Sequence, residues 1–213
     1  MFIDREDAGR QLADRLADQA PRHPILVALP RGGVVVAAVI AERLRAPLDV
    51  IVVRKLGCPW QPELGVGALA EGDVRIINED LVRDIGLRAE QLAEVVEREA
   101  VELARRADTY RGDRPPLPVD GRTAIVVDDG LATGYTARAS IEALRRRGAA
   151  RVTLAVPVGP GDALTALRDV ADEVVVLTTA DWFFAIGDFY DDFAQTTDDE
   201  VVALLSENRA RSS

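Results

Sequence analysis

The feature that most limits the fold of this chain is a series of short apolar runs separated by segments of helical period. The runs cover residues 25–29, 48–53, 123–127, 151–156 and 173–177. Continuous apolar runs of this length are typical of strands that are buried on both faces of a parallel sheet. The alternation therefore predicts an α/β fold with a largely parallel sheet and helices on both faces.

Helical period marks the segments between and around these runs, at residues 5–19, 34–44, 89–107, 135–147, 162–169 and 198–205. Residues 58–72 have no clear period, and they predict either a long loop or an irregular hairpin. Ligands of open α/β sheets bind beyond the carboxyl ends of the strands. The loops that follow the strands are therefore where we expect the chemistry of this chain.

The charge balance and the rare residue types argue against several classes of protein. A net charge of −10 does not suit nucleic-acid binding, which needs a basic surface. The longest apolar run, residues 34–41, is too short to span a bilayer, so no membrane partner is expected. A single cysteine, Cys58, cannot form an internal disulfide, and the charged start lacks a signal-peptide core. We therefore expect a cytoplasmic protein, and a single histidine, His23, argues against a Ser-His-Asp triad.

The strongest functional signal is the segment that follows the apolar run 123–127. Two acids, Asp128 and Asp129, precede a turn and helix start formed by Gly130, Leu131, Ala132, Thr133, Gly134, Tyr135 and Thr136. Backbone N–H groups of such a turn can converge on an anion, and the helix N-terminus adds positive potential. The acids suit sugar hydroxyls or a divalent cation. The segment predicts a site for a phosphorylated sugar, and the alternative is a plain capped turn between strand and helix.

These residues resemble the phosphoribosyl pyrophosphate (PRPP) signature of the type I phosphoribosyltransferases. The resemblance extends in order over about residues 25–205 and includes Pro-Arg-Gly-Gly at 30–33, Arg-Lys-Leu-Gly at 54–57 and Gln-Thr-x-Asp-x-Glu at 195–200. It implies the type I phosphoribosyltransferase fold as a single domain over residues 1–213. Its parts would be a core at about 20–180, a mobile loop at about 55–72 and a small C-terminal hood at about 181–206.

The resemblance also implies a role for each part of the PRPP site. Asp128 and Asp129 would contact the ribose hydroxyls and help to hold Mg²⁺, the implied cofactor. Residues 130–136 would wrap the 5′-phosphate. Arg31, Gly32 and Gly33 lie where the family has its pyrophosphate loop, which often contains a non-proline cis peptide bond. The alternative for Arg31 is a solvated loop arginine.

Two further cations, Arg54 and Lys55, end the predicted buried strand 48–53 and would point at the same crevice as the acids, and the alternative is a solvated strand end. Lys55 is the only lysine of the chain, either because a compact ammonium is needed there or because of a coding bias against lysine. The mobile loop of the family closes over PRPP, and in some members an acid or base of that loop assists proton transfer. Glu63 and Glu71 are the acids in this stretch, and the alternative is that both are solvated.

The acceptor is less defined than PRPP. Ala132 stands where the hypoxanthine-guanine branch of the family has an Asp, and the turn is closer to the adenine and uracil branches. Residues 181–190, in contrast, resemble the base-binding hood of the oxopurine enzymes, where an aromatic ring stacks on the base. Trp182 and Phe183 are the candidates for that contact, and the alternative is that they belong to the core. The acceptor base therefore stays open.

The leading hypothesis is a Mg²⁺-dependent phosphoribosyltransferase that uses PRPP and a small nitrogenous acceptor, such as a nucleobase. The alternative of a different class is a non-catalytic PRPP- or nucleotide-sensing regulator on the same fold. A pure sensor would not need a long closing segment that contains Lys55 and Glu63. A third hypothesis is another phosphosugar enzyme on the same turn. Because many members of the family pair, a homodimer is a further expectation from the resemblance.

Overall fold

The computed structural model describes residues 1–17 and 23–212, so the predicted end of the first helix, at residue 19, lies outside the described residues. The strands are β1 (Ile25–Ala28), β2 (Leu48–Val50), β3 (Val53–Cys58), β4 (Gln61–Ala70), β5 (Val74–Ile77), β6 (Thr123–Val127), β7 (Arg151–Pro160) and β8 (Glu173–Ala180). The helices are α1 (Arg5–Ala17), α2 (Gly32–Leu44), α3 (Glu79–Asp84), α4 (Ala89–Arg111), α5 (Tyr135–Arg146), α6 (Gly161–Leu167) and α7 (Asp198–Ser212). A short 3₁₀ helix covers Ile186–Phe189.

The main sheet has five parallel strands in the order β2-β1-β6-β7-β8, and each apolar run of the sequence supplies one of them. The strand order reverses between β1 and β6, because β2 lies on one side of β1 and the later strands lie on the other. The carboxyl ends of β1 and β6 therefore form the switch point, where ligands of such sheets bind. The prediction of an α/β fold with a parallel sheet is confirmed.

Successive residues of the central strands face opposite layers, which explains why their sequences are apolar throughout. Ile25 and Val27 pack in the cluster that contains α5 residues such as Ile141. Leu26 and Ala28 pack on the other face, in the cluster that contains residues of α1, α2 and α7. The helices thus cover both faces of the sheet.

The stretch 58–72 is a hairpin of a second, antiparallel sheet in the order β3-β4-β5. The predicted strand 48–53 is divided, since β2 ends at Val50 and β3 begins at Val53. The expectation that Arg54 and Lys55 end a core strand is therefore wrong, because both lie within β3. The sequence alternates there in the manner of a half-exposed strand: Leu56 and Cys58 are buried and Lys55 is exposed.

A buried guanidinium joins the small sheet to the main sheet. The Nε atom of Arg111 lies 3.1 Å from Asp49 Oδ1, and its Nη1 atom lies 2.7 Å from Glu71 Oε2. Asp49 also accepts the Leu117 N–H at 2.7 Å, and Glu71 accepts the Val52 N–H at 2.6 Å. Burial alone would lower the pKa of Arg111, but the contacts with the two carboxylates raise it. Glu71, considered above as a loop acid, is thus a structural partner of Arg111.

The C-terminal hood includes residues of the N-terminus, which the sequence did not indicate. Phe2 forms a parallel bridge with Tyr190, and the Phe2 N–H donates to the Phe189 carbonyl at 2.8 Å. Phe2, Val158, Ala180 and Tyr190 are buried together in one cluster. Among the described residues, no helix combines the length and the apolar character that a membrane crossing requires.

Candidate functional site

Two loops meet at the switch point of the sheet, one after β1 and one after β6. The strands are neighbours in register, with Ala28 opposite Val127, and the Leu29 N–H donates to the Val127 carbonyl at 2.9 Å. The loop after β1 covers residues 29–31 and runs into α2, whose first two residues are Gly32 and Gly33. The turn after β6 contains the acid pair and runs into α5. The two segments that the sequence singled out separately are therefore adjacent in the fold.

Glycine lets the first loop lie directly against the acid pair. A Cβ atom on Gly32 would overlap the carboxylate of Asp129. A Cβ atom on Gly33 would lie 2.8 Å from the Val127 carbonyl oxygen and 2.9 Å from Asp128 Cα, so a side chain there would force the backbone to shift. The Pro30–Arg31 peptide bond is cis, as the resemblance implied.

The acid pair places two neighbouring carboxylates in a partly buried setting. Asp128 is half-buried, and its Oδ1 accepts the Asp129 N–H at 2.9 Å. Burial, followed by the negative charge of Asp129, raises the pKa of Asp128 well above its usual value. The Tyr190 hydroxyl donates to the Asp129 carbonyl oxygen at 2.6 Å and so fixes the backbone of the pair to the hood.

The turn that follows the acids leads directly into the N-terminus of α5. Gly134 has φ +80° and stands at the N-terminus of α5, where the N–H groups of the first turn have no intrahelical partner. The side chains of Thr133 and Thr136 are exposed and half-buried, respectively. Leu131 is buried, and its N–H donates to the Val158 carbonyl at 2.8 Å. Tyr135 accepts a hydrogen bond of 2.6 Å from the Asn78 side chain, which links α5 to the end of β5.

The three predicted cations lie in different settings. Arg31 is on the first loop itself, with Nη1 3.8 Å from Asp198 Oδ1 at the start of α7. Arg54 is bound to Glu99 of α4 at 2.8 Å, which ties β3 to that helix. Lys55 is exposed, and its Nζ donates to the Glu63 carbonyl oxygen at 2.7 Å. Glu63 itself is exposed. That Arg31, Arg54, Lys55 or Glu63 contacts a ligand stays a prediction.

The aromatic residues of the hood divide as an extended segment requires. Trp182 and Phe184 are 85% and 89% exposed, whereas Phe183 is half-buried and stacks on Phe189 with ring centroids 5.9 Å apart. The same hood lies over the acid-pair turn, since a Cβ atom on Gly130 would lie 2.5 Å from Ile186 Cγ2. The acceptor role of Trp182 and Phe183 stays a prediction. Of the two rings, that of Trp182 is free to contact a ligand, whereas that of Phe183 is partly covered by Phe189.

One residue of this site was missed in the sequence. Arg5, the first residue of α1, places its Nε 2.7 Å from Asp129 Oδ2. A helix N-terminus disfavours a cation because the helix dipole is positive there. A basic residue at the first position of a predicted helix was therefore the signal that could have indicated a specific acidic partner.

The acid pair fits Mg²⁺ of the kind that arrives with its substrate. No group of three or more His, Cys, Asp or Glu side chains is placed to hold a metal ion in residues 1–17 and 23–212. Mg²⁺ is commonly held by one or two carboxylates together with substrate phosphates and water. An added cation would offset part of the repulsion from Asp129, which together with the larger effect of burial raises the pKa of Asp128.

The fold and the two loops at its switch point define the class of this protein, which has the type I phosphoribosyltransferase architecture. The family model "Phosphoribosyl transferase domain" matches residues 3–194, and the chain belongs to that family. Proteins from two strains of Mycobacterium tuberculosis, each called "Putative phosphoribosyl transferase", are 51% identical over 205 residues, or 96% of this chain and 46% of theirs. The chain thus spans about half the length of these curated relatives.

Two further relatives are similar over two thirds or more of this chain. Uracil phosphoribosyltransferase from Beutenbergia cavernae is 33% identical over 151 residues, which is 68% of this chain and 62% of the relative. The crystal structure of TT1426 from Thermus thermophilus has 40% identity and a TM-score of 0.82, over 97% of this chain and 98% of that chain. The family expected from the sequence is thereby confirmed.

Proposed function

We propose that this protein is a Mg²⁺-dependent phosphoribosyltransferase that transfers ribose-5-phosphate from PRPP to a small nitrogenous acceptor and releases pyrophosphate. The observation that carries the proposal is the close approach of the Gly32–Gly33 loop to Asp128 and Asp129 at the switch point. A phosphorylated sugar needs anion-binding backbone and hydroxyl-binding carboxylates side by side. Family membership supports the same substrate.

The proposed division of labour follows the chemistry of each segment. The N–H groups at the start of α5, with Thr133 and Thr136, bind the 5′-phosphate. Asp128 and Asp129 accept hydrogen bonds from the ribose hydroxyls and hold the sugar in place. Arg31 and the backbone of Gly32 and Gly33 bind the pyrophosphate.

Negative charge develops on the pyrophosphate as its bond to the sugar breaks, and groups aimed at that charge lower the barrier. Mg²⁺, when bound, would supply a second positive charge to the departing group. Lys55 is the protein cation best able to join it, because its hydrogen bond goes to a backbone carbonyl rather than to a carboxylate. Arg54, in contrast, would have to leave Glu99. Glu63 lies in the same hairpin and is the proposed proton-transfer group of that segment.

The acceptor would bind between the hood and the acid-pair turn, which are in contact at Ile186 and Gly130. The exposed ring of Trp182 suits stacking on a flat heterocycle. One relative is called uracil phosphoribosyltransferase, while the hood resembles that of the oxopurine enzymes, so pyrimidines and purines are equally worth testing.

The decisive experiment measures pyrophosphate release from PRPP and Mg²⁺ with a panel of purines, pyrimidines and small amines. We expect release that depends on one class of acceptor and is lost in the Asp128→Asn/Asp129→Asn double variant. Calorimetric binding of PRPP without release for any acceptor would favour the sensing regulator instead. Absence of PRPP binding in the wild type would overturn both.

A further inference from the structure

The guanidinium of Arg5 is a built-in part of the acid-pair site. Its side chain is 12% exposed and that of Asp129 is 13% exposed, so this ion pair is shielded from solvent on both sides. The Nη1 atom donates to the Ala194 carbonyl at 2.7 Å, and the guanidinium carbon lies 3.8 Å from the centre of the Phe193 ring. These contacts fix the cation in one place, unlike an exposed surface pair, which contributes little.

The position of Arg5 conflicts with the role proposed for Asp129. The Arg5 Nε–H donates a hydrogen bond to Oδ2 of Asp129, and the backbone N–H of Asp129 donates one to Oδ1 of Asp128. Each carboxylate therefore has one oxygen engaged before any ligand arrives. A divalent cation that needs Oδ2 of Asp129 must displace the Arg5 guanidinium, whose single positive charge offsets one of the two carboxylates.

We propose that Arg5 is a positioning residue that serves as an internal counter-ion of the acid pair, so that the pair takes up divalent metal together with PRPP rather than alone. This inference rests on the proposed function, in which Asp128 and Asp129 help to hold Mg²⁺. PRPP brings phosphate oxygens as additional metal ligands, and these compensate for the loss of the Arg5 contact. A free metal ion brings only water.

A second group of carboxylates lies near Arg5, on the side away from the acid pair. A cavity of about 190 Å³ beside Arg5 is lined by Asp4, Glu6, Asp192 and Glu200 among others. Arg5 therefore lies between two acidic surfaces, the acid pair on one side and this cavity on the other.

The test is the affinity of the metal-free full chain for Mn²⁺ without PRPP, measured by electron paramagnetic resonance or calorimetry. We expect Arg5→Met to bind Mn²⁺ at least about fivefold more tightly than the wild type, the lower end of common coupling between two sites. Adding Asp129→Asn to Arg5→Met should remove the gain. Arg5→Lys, which keeps the charge, should retain the weak affinity of the wild type.

Arg10→Met is the matched control, because Arg10 is on the same helix, is exposed and pairs with Glu6 and Asp7 rather than with the acid pair. It should leave Mn²⁺ affinity unchanged. Equal affinity in Arg5→Met and wild type, or an equal gain in Arg10→Met or Arg5→Lys, overturns the inference. Should Arg5→Met fail to fold, Arg5→Gln takes its place, since its amide can donate to Asp129 without a charge.

The binding of PRPP with Mg²⁺ to the wild type separates this inference from the proposed function. Wild-type binding of PRPP combined with an unchanged Arg5→Met affinity for Mn²⁺ defeats only the role of Arg5. A gain of Mn²⁺ affinity in a protein that never binds PRPP defeats only the proposed function.

Discussion

The proposed phosphosugar side and the proposed acceptor side of the candidate site are built in opposite ways. At the acid pair, Asp128 and Asp129 each have a hydrogen-bond partner, and Gly33 is packed against the backbone of β6. In the hood, Trp182 leaves 85% of its surface exposed. The phosphosugar side is thus organised in advance by packing, while the acceptor side presents an apolar surface that a ligand would cover. Substitutions on the two sides should therefore affect different properties.

The largest effect is expected from Gly33→Ala. The new Cβ would meet the Val127 carbonyl and Asp128 Cα below 3 Å, so the loop or β6 must shift. Overpacking of this kind costs about 1–3 kcal/mol of folding stability, and the shift should also abolish tight PRPP binding. Gly161→Ala is the control, because its Cβ would meet only Thr179 Cγ2 at 3.5 Å. Urea unfolding and PRPP calorimetry check both variants, and equal behaviour would show that the loop is not tightly packed.

Trp182→Ala and Phe183→Ala test whether the hood aromatics bind the acceptor or stabilise the fold. The exposed Trp182 should contribute little to stability, but loss of its stacking should raise the acceptor KM by about tenfold to a hundredfold, or 1–3 kcal/mol. Phe183→Ala should lower the melting temperature, because its ring stacks on Phe189.

Val101→Ala, an exposed apolar site on α4, is the control for these aromatic variants. The comparison of the two sides fails if Trp182→Ala loses stability and keeps its KM, since Trp182 would then belong to the core.

The Asp128→Asn/Asp129→Asn variant should keep the fold and weaken binding of PRPP with Mg²⁺ by at least about tenfold, or 1.4 kcal/mol. Asparagine preserves the size of both side chains and removes the charge that ribose hydroxyls and metal would use. Calorimetry at constant Mg²⁺ gives the affinity. An affinity equal to that of the wild type would place the phosphosugar elsewhere.

Lys55→Ala should lower turnover more than PRPP affinity, because the charge that it would meet develops mainly in the transition state. Lys55→Arg should restore activity only in part, since a planar guanidinium presents its donors differently. The measurement is the change in kcat and the change in the PRPP dissociation constant of each variant relative to the wild type. Full activity in Lys55→Ala would leave coding bias as the explanation for the single lysine.

The smallest effect concerns pH. The pKa of Asp128 is raised above 3.8 in the folded protein by burial and by Asp129, so the folded state holds this proton more tightly than the unfolded chain does. Wild-type stability relative to Asp128→Asn should be highest below about pH 4 and fall as pH rises through the raised pKa. Urea midpoints across that range give the difference, with the exposed Asp169→Asn as control. A flat difference would contradict the raised pKa.

The sequence predicted the parts of the molecule whose signal is local. Buried strands such as Thr123–Val127 appear as apolar runs, and the acid pair with its turn appears as one continuous motif. The antiparallel sheet was harder to predict from the sequence. The break between β2 and β3 falls at Ile51 and Val52, which are apolar and therefore look like part of one continuous strand. Arg5 contacts Asp129 across 124 positions of sequence, a distance at which a single sequence offers only an indirect sign.

The buried Arg111 cluster sets a condition on exchanging segments between members of this family. A chimera that replaces residues 53–77 also replaces Glu71. The carboxylate of Glu71 accepts hydrogen bonds from both Nη1 and Nη2 of Arg111. A donor segment without an acid at that position would leave the guanidinium with Asp49 as its remaining acidic partner. Losing one partner of a buried ion pair commonly costs about 3–5 kcal/mol. The small sheet is therefore transferable as a module when the donor keeps an acid at position 71, or when the end of α4 and the middle of β2, which carry Arg111 and Asp49, are exchanged with it.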